Sequence, residues 1–229
     1  MQYYHVMLHR LLFAILVLAA ATARAEAPKV VVTIKPVHAL VEGVMAGVGT
    51  PQLLVPPAAT EHSFSLRPSD ARALQEADVV FWVGEDLESF MAKPLQALPR
   101  NARVVELSEA PGMTLLENRE GGAWEAHDDQ GHGHKHGHKH DAKKAHAHGE
   151  TDMHLWLDPD NAARIAAVAA ETLGAVDPAN AARYAENASE IGRNLAALDE
   201  ELRALLAPAQ GRPFIVSVSY THLTLPTKA

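Results

Sequence analysis

The sequence predicts an α/β fold built on a parallel β-sheet. Short apolar runs alternate with helical patterns from residue 30 to residue 107, which is the rhythm of strand–helix–strand units. The run at 30–34 opens with three consecutive valines, and the run at 78–83 has no polar residue after Asp78. Such runs, which lack polar alternation, indicate strands that are covered on both faces. Two further strands are predicted at 53–55 and 103–107.

Helices are predicted between these strands and again toward the C-terminal end. The patterns place them near 36–46, from Pro68 onward, at 86–98 and at 160–173. Asp177 and Pro178 then provide an N-cap and a first-turn proline for a long helix. Apolar residues recur along one face of that helix at Tyr184, Ala188, Ile191, Leu195, Leu198, Leu202 and Leu205. From the spacing alone, a surface helix that covers the sheet is the favoured interpretation. The alternative is a rod that spans two lobes.

The N-terminal segment has the pattern of a secretory signal peptide. A basic, aromatic start is followed by an apolar run at 11–21 and by a small-x-small site at 23–25. That run is shorter than the roughly 20 residues that span a bilayer, so we expect cleavage near Ala25 and no membrane insertion afterward.

The chain has 28 acidic against 20 basic residues, which argues against nucleic acid as a partner. It has 0 cysteines, which leaves His and carboxylate as metal ligands.

A histidine-rich stretch at 111–151 separates the two groups of helices. It contains few large apolar side chains, and its composition predicts a long disordered loop. Neutral imidazole binds Zn, Cu and Ni, so we expect weak, exchangeable metal contact from this tract. The alternative is a solvated linker. The histidines concerned are His127, His132, His134, His136, His138, His140, His146 and His148.

A tight metal site needs ligands held in fixed positions, and the sequence offers three candidates. Glu61 and His62 lie in the loop after the second predicted strand, where parallel sheets often bind ligands. His154 follows the histidine-rich stretch. Tetrahedral zinc accepts imidazole nitrogen and carboxylate oxygen and can keep one position for water. Taken singly, each histidine is more often an ordinary surface residue, and His38 is left in that class.

Three segments resemble the zinc-specific (ZnuA-type) branch of the cluster A-I solute-binding proteins. They read TEHSFSLRPSD at 60–70, ADVVFWVG at 77–84 and DMHLWLDP at 152–159, and the likeness extends from Val30 to about Val216. The resemblance implies two α/β lobes joined by a long rigid helix, with the metal bound between them. It also implies that His62 and His154 are the two imidazole ligands of the first lobe, with Glu61 a further oxygen ligand.

The resemblance also implies a division of the chain. The expected segments are a signal peptide at 1–25, a first α/β lobe at 26–110, the His-rich loop at 111–151, the end of that lobe at 152–176, the connecting helix at 177–207 and the start of a second lobe at 208–229. Residues 217–229 depart from the family pattern, which would continue into an aromatic-His-Asp motif and a second lobe. We expect a chain cut short there, with His222 present by chance.

The function implied is capture of Zn²⁺ in the periplasm and its delivery to the membrane permease of an ABC importer, without catalysis. The zinc ion is then the transported ligand, and the complete protein is expected to be a monomer. Two alternatives remain open. One is a His-rich metal buffer or metallochaperone, and the other is a zinc hydrolase that uses Glu61 beside an open coordination position. The sequence has no His-Glu-x-x-His helix to support the hydrolase.

Overall fold

A parallel β-sheet lies at the centre of the fold in the computed structural model, which describes residues 26–60, 64–97, 102–117 and 151–211. Its strands are β1 (Val30–Val32), β2 (Gln52–Leu53), β3 (Val79–Trp82) and β4 (Arg103–Glu106). They pair in parallel in the order β2–β1–β3–β4. The helices are α1 (Lys35–Val44), α2 (Pro68–Glu76), α3 (Ala92–Gln96), α4 (Pro159–Val176) and α5 (Ala181–Leu206). The predicted α/β class with a parallel sheet is confirmed.

Helices bury both faces of this sheet. Val30, Val32 and Phe81 belong to an apolar cluster that includes side chains of α1, α4 and α5. Val31 and Val80, which alternate with them along the strands, belong to a second cluster that includes side chains from α2. Successive strand residues point to opposite faces. The prediction that these apolar strands are covered on both faces is therefore confirmed.

The prediction of a helix over 86–98 is wrong about the length of the helix. The chain instead makes a turn after β3, in which Leu87 and Glu88 both donate backbone N–H bonds to the Gly84 carbonyl. A short 3₁₀ turn at Ser89–Met91 follows, and only α3 is α-helical. Pro94 explains this boundary, because proline has no N–H to donate and is tolerated in the first turn of a helix.

The predicted disordered stretch at 111–151 is ordered at both of its ends. Strand β5 (Leu116–Glu117) pairs antiparallel with β6 (Thr151–Asp152). Ahead of β5, the backbone N–H and C=O of Thr114 both bond the side-chain amide of Asn161 in α4, each at 2.8 Å. The disorder prediction was wrong for these residues because backbone pairing and the Asn161 amide satisfy their polar groups. The histidines of the tract lie outside the described residues.

Helix α5 is attached to the rest of the fold through its N-terminal half. Buried Tyr184 donates a hydrogen bond from its hydroxyl to the Asp177 carboxylate at 2.8 Å, and Asn180 donates to the same oxygen at 2.7 Å. Burial and the adjacent Asp177 carboxylate raise the pKa of Tyr184 above its ordinary value. Asn187 donates to the carbonyl of Val44, the last residue of α1, at 2.8 Å and to that of Ala46, just beyond it, at 3.0 Å.

The C-terminal half of α5 lies away from the core of the described residues. Ile191 still packs against the core, whereas Leu198, Leu202 and Leu205 are 45%, 38% and 71% exposed. The apolar face predicted from spacing is therefore buried at one end and exposed at the other. No helix within the described ranges is both long and apolar enough to cross a membrane.

The hydrogen bond from Tyr184 to Asp177 predicts a stability effect. Tyr184→Phe removes a buried donor to a carboxylate, and bonds to charged groups contribute about 1.5–3 kcal/mol. We expect the free energy of unfolding, measured by urea denaturation, to fall by that amount. Arg193→Ala on the exposed side of the same helix is the control and should change it by less than about 0.5 kcal/mol. Equal unfolding midpoints for Tyr184→Phe and the parent chain would contradict the prediction.

Candidate metal centre

The candidate site lies at the carboxyl edge of the sheet. β1 and β3 are neighbours, although the chain leaves β1 toward β2 on one side and leaves β3 toward β4 on the other. In open α/β sheets such a reversal of strand order creates a crevice at the carboxyl ends, where ligands bind. Buried Thr33 follows β1 there, and buried Gly84 follows β3.

His154 lies between β6 and a 3₁₀ turn at Leu155–Leu157 that leads into α4. Asp158 is the N-cap of α4, and its side chain accepts the N–H groups of Asp160 and Asn161. Pro159 at the first helical position supports this start, because its ring presets a helical φ. The capped helix and the ladder at β6 therefore fix the backbone on both sides of His154.

The His154 side chain is held by Asp152. One carboxylate oxygen, Oδ1 of Asp152, accepts the His154 backbone N–H at 3.0 Å and lies 2.8 Å from Nδ1 of its ring. Both side chains are largely buried, with 21% and 24% of their surfaces exposed. An ionised carboxylate can only accept, so it favours the tautomer with hydrogen on Nδ1 and the lone pair on Nε2.

Trp156 contacts the same imidazole ring. The two ring centroids are 5.3 Å apart with an interplanar angle of 63°, an edge-to-face arrangement. Trp156 is partly buried and packs against the main apolar cluster. It also borders the candidate ligand, which the sequence did not indicate.

Gly84 lies where β3, β4 and the segment that carries His154 come together. A Cβ at this position would lie 2.7 Å from Ser108 Oγ, 2.9 Å from Met153 Cε and 3.0 Å from Glu106 Oε1. Gly84 also has a φ of +157°, which side-chain-bearing residues rarely adopt. Glycine at this point therefore allows the segment that carries His154 to pack directly on the sheet edge.

Glu106 contributes a carboxylate to the same edge. Burial raises the pKa of the Glu106 carboxyl above its ordinary value; the nearby Glu109 charge adds to this shift, and a hydrogen bond from Ser108 opposes it. Neither Glu106 nor Gly84 was identified from the sequence as part of the site. Their contacts join residues distant in the chain, and only the strand order brings them together.

The structure describes one of the three predicted fixed ligands. His154 is placed at the carboxyl edge, whereas Glu61 and His62 lie outside the described residues, as does the signal segment at 1–25. Among the residues described, no group of three or more His, Cys, Asp or Glu side chains is arranged to hold a metal. His38 has structural contacts, with Nε2 3.0 Å from the Pro51 carbonyl oxygen. The ligand assignments of His62, His154 and Glu61 stay predictions.

The chain matches the family described as "Zinc-uptake complex component A periplasmic" over residues 30–222. This match includes residues 217–222, which we expected to lie outside the likeness. The chain is 45% identical over 230 residues to the high-affinity zinc uptake system protein ZnuA of Brucella abortus, covering 91% of this chain and 68% of that protein. The ZnuA protein of Paracoccus denitrificans is 41% identical over 206 residues, with 86% and 63% covered.

Solved structures with a similar fold include two from Streptococcus pneumoniae. Zn(II)-bound AdcA superposes with a TM-score of 0.64 at 20% identity, covering 84% of this chain and 35% of that one. AdcAII gives 0.61 at 23% identity, with 83% and 61% covered. The Mn-bound periplasmic metal binding protein of Candidatus Liberibacter asiaticus gives 0.55 at 22% identity, with 80% and 56% covered. These similarities support the fold, and this chain spans only part of each of those chains.

The partly buried Glu106 carboxyl predicts a pH-dependent effect on stability. Its raised pKa means that the folded protein binds this proton more tightly than the unfolded chain, so its contribution to stability is present in acid and is lost as pH rises through the folded-state pKa. Glu106→Gln, which cannot ionise, should raise the melting temperature at neutral pH. The gain should vanish below about pH 4, near the ordinary range of glutamate.

The matched control is Glu117→Gln, which makes the same charge change on exposed β5. Melting curves of both variants and the parent, recorded between acidic and neutral pH, test the prediction. A gain from Glu106→Gln that is equally large in acid would show that burial of charge is not its cause.

Proposed function

The chain belongs to the family of periplasmic zinc-uptake components, the ZnuA family, and from that premise we propose that it captures Zn²⁺ in the periplasm. His62 and His154 supply the imidazole ligands, and Glu61 supplies an additional oxygen. The bound zinc is cargo, which the protein delivers to the permease of an ABC importer. No catalytic role is proposed for these residues.

The observation that carries this proposal is the setting of His154. The ring is partly buried in a segment that packs through Met153 against Gly84 after β3, and its Nδ1 lies 2.8 Å from the Asp152 carboxylate. Metal-ligating histidines usually donate their second ring N–H to such an outer group, which orients the ring and raises its basicity. His154 therefore has the support that a metal ligand needs.

The proposed ligands leave room for other donors on the ion. Two imidazoles and one carboxylate oxygen fill three positions of a tetrahedral zinc shell, and the fourth is open to water or to another side chain. The chain spans 68% of the Brucella relative and 61% or less of the solved structures named above. The names of the relatives support a role in zinc uptake, and release to a permease is our own proposal for the step that follows capture.

Substitution of His154 tests the fixed site. His154→Ala should weaken the tightest zinc site of the full chain by more than the roughly 10–100-fold that loss of an outer-shell partner costs. His62→Ala should have a similar effect. The measurement is calorimetry with a competing chelator, so that only the tightest site is reported. His38→Ala is the matched control and should leave the affinity unchanged, because the His38 ring contacts the Pro51 backbone. Unchanged affinity in His154→Ala would exclude it as a ligand.

A metal buffer is the second candidate function, and the histidine content of the tract favours it, since eight of the 14 histidines of the chain lie at 127–148. Deleting 131–148 distinguishes the two. If the tract is accessory to a fixed site, the number of zinc ions bound should fall while the tightest site keeps its affinity. Loss of all tight binding on deletion would instead support the buffer. Calorimetric titration of both proteins gives the stoichiometry and the affinity together.

A further inference from the structure

We propose that Asp152 is a positioning residue that makes Nε2 of His154 the metal-binding nitrogen. The inference rests on the proposed function, because it assumes that His154 is a ligand. It goes further by naming the group that selects the ring nitrogen and fixes the ring plane. Asp152 itself contacts no metal in this proposal and acts only through His154.

The geometry gives Asp152 two contacts with one residue. Its Oδ1 accepts the His154 backbone N–H at 3.0 Å and faces ring Nδ1 at 2.8 Å. The first contact closes a local turn and needs only an oxygen two residues earlier in the chain. The second contact is not required by the turn. It places the ring, because the same oxygen holds both the backbone and Nδ1.

The chemistry of the pair determines the tautomer. A carboxylate has no hydrogen to donate, so Nδ1 must be the protonated nitrogen of a neutral imidazole at this distance. The in-plane lone pair is then on Nε2, at the far end of the ring. The negative charge of Asp152 also makes that lone pair a better donor to a cation. A histidine without this partner would divide its population between two tautomers and several ring orientations.

Asp152 is itself held in place from two directions. Its backbone pairs with Leu116 in the β5–β6 ladder, and two residues before Leu116 the Thr114 backbone is clamped by Asn161. Asn161 is 3% exposed and lies in the first turn of α4, next to the helix cap that follows His154. Asp152 and His154 are therefore both anchored at the start of α4. Asp152 is connected to it through β5 and Asn161, and His154 is followed directly by the helix cap.

The Trp156 and His154 rings meet in an edge-to-face arrangement with a centroid distance of 5.3 Å. The carboxylate fixes one ring nitrogen and the indole limits tilting of the ring. Together they restrict His154 to one orientation before any cation arrives. Such preorganisation reduces the entropy lost when zinc binds.

The experiment compares Asp152→Ala and Asp152→Asn in the full chain. Zinc affinity of the tightest site is measured by chelator competition. The tautomer of His154 in the zinc-free protein is measured from its imidazole ¹⁵N shifts at a pH where the ring is neutral, with the signals assigned by their absence in His154→Ala. Asp199→Asn, which removes one negative charge from α5 where Asp199 pairs with Arg203 at 2.6 Å, is the control for net charge. Thermal unfolding establishes that each variant folds.

The expected result is a loss of about 10–100-fold in zinc affinity for Asp152→Ala, the usual effect of removing an outer-shell partner. Its ¹⁵N shifts should also move toward the Nε2-protonated form. Asp152→Asn keeps an amide oxygen that can accept from Nδ1, so its tautomer should be retained and its loss of affinity should be smaller. It also serves as the informative variant if the alanine variant does not fold. Asp199→Asn should match the parent in both measurements.

Three results would overturn the proposal, and they differ in what they leave standing. If Asp152→Ala keeps its affinity while His154→Ala loses it, Asp152 has no positioning role and the proposed function survives. If the affinity falls but the tautomer is unchanged, Asp152 acts through the fold alone. If His154→Ala itself keeps full affinity, the ligand assignment fails, and with it the premise of this inference.

Discussion

Burial of both faces of the four-stranded sheet is the constraint on which the candidate site depends. Because helices cover the two faces, the edges of the sheet are where polar side chains can reach a ligand without disrupting the core. The order β2–β1–β3–β4 then opens a crevice at the carboxyl edge, between β1 and β3. Met153, the neighbour of His154, meets Gly84 and Glu106 at this edge, although the three residues belong to separate parts of the chain.

The same packing fixes the backbone beside His154. Met153, its neighbour, is 8% exposed and lies in the main core cluster, where its methyl group sits against Gly84. The side chain of the next residue, His154, is held by Asp152. A ligand fixed by adjacent core packing and by one hydrogen bond needs little reorganisation to bind a cation. Affinity is higher when the side chains of a binding site lose their conformational freedom during folding and not on binding.

The sheet could be predicted from the sequence because apolar strands have a local signature. Runs such as 79–83 need no knowledge of their neighbours to indicate burial on both faces. The β5–β6 ladder could not be predicted, since two-residue strands have no periodicity and their pairing is fixed by Asn161, a residue of another element. Asp152 did carry a signal, as a carboxylate two residues before a histidine, but its contact with Nδ1 depends on the turn between them.

Helix α5 shows how one periodic pattern can serve two surfaces. Near its start, Tyr184 and Ile191 pack against the core, and Asn187 bonds the end of α1. The same spacing then continues to Leu198 and Leu205, which are exposed. Burying a leucine side chain contributes about 1.5–3 kcal/mol, so covering the exposed end of this face would add substantially to stability. The pattern alone therefore predicts an apolar face. The packing of the first half of α5 determines the direction in which its second half extends.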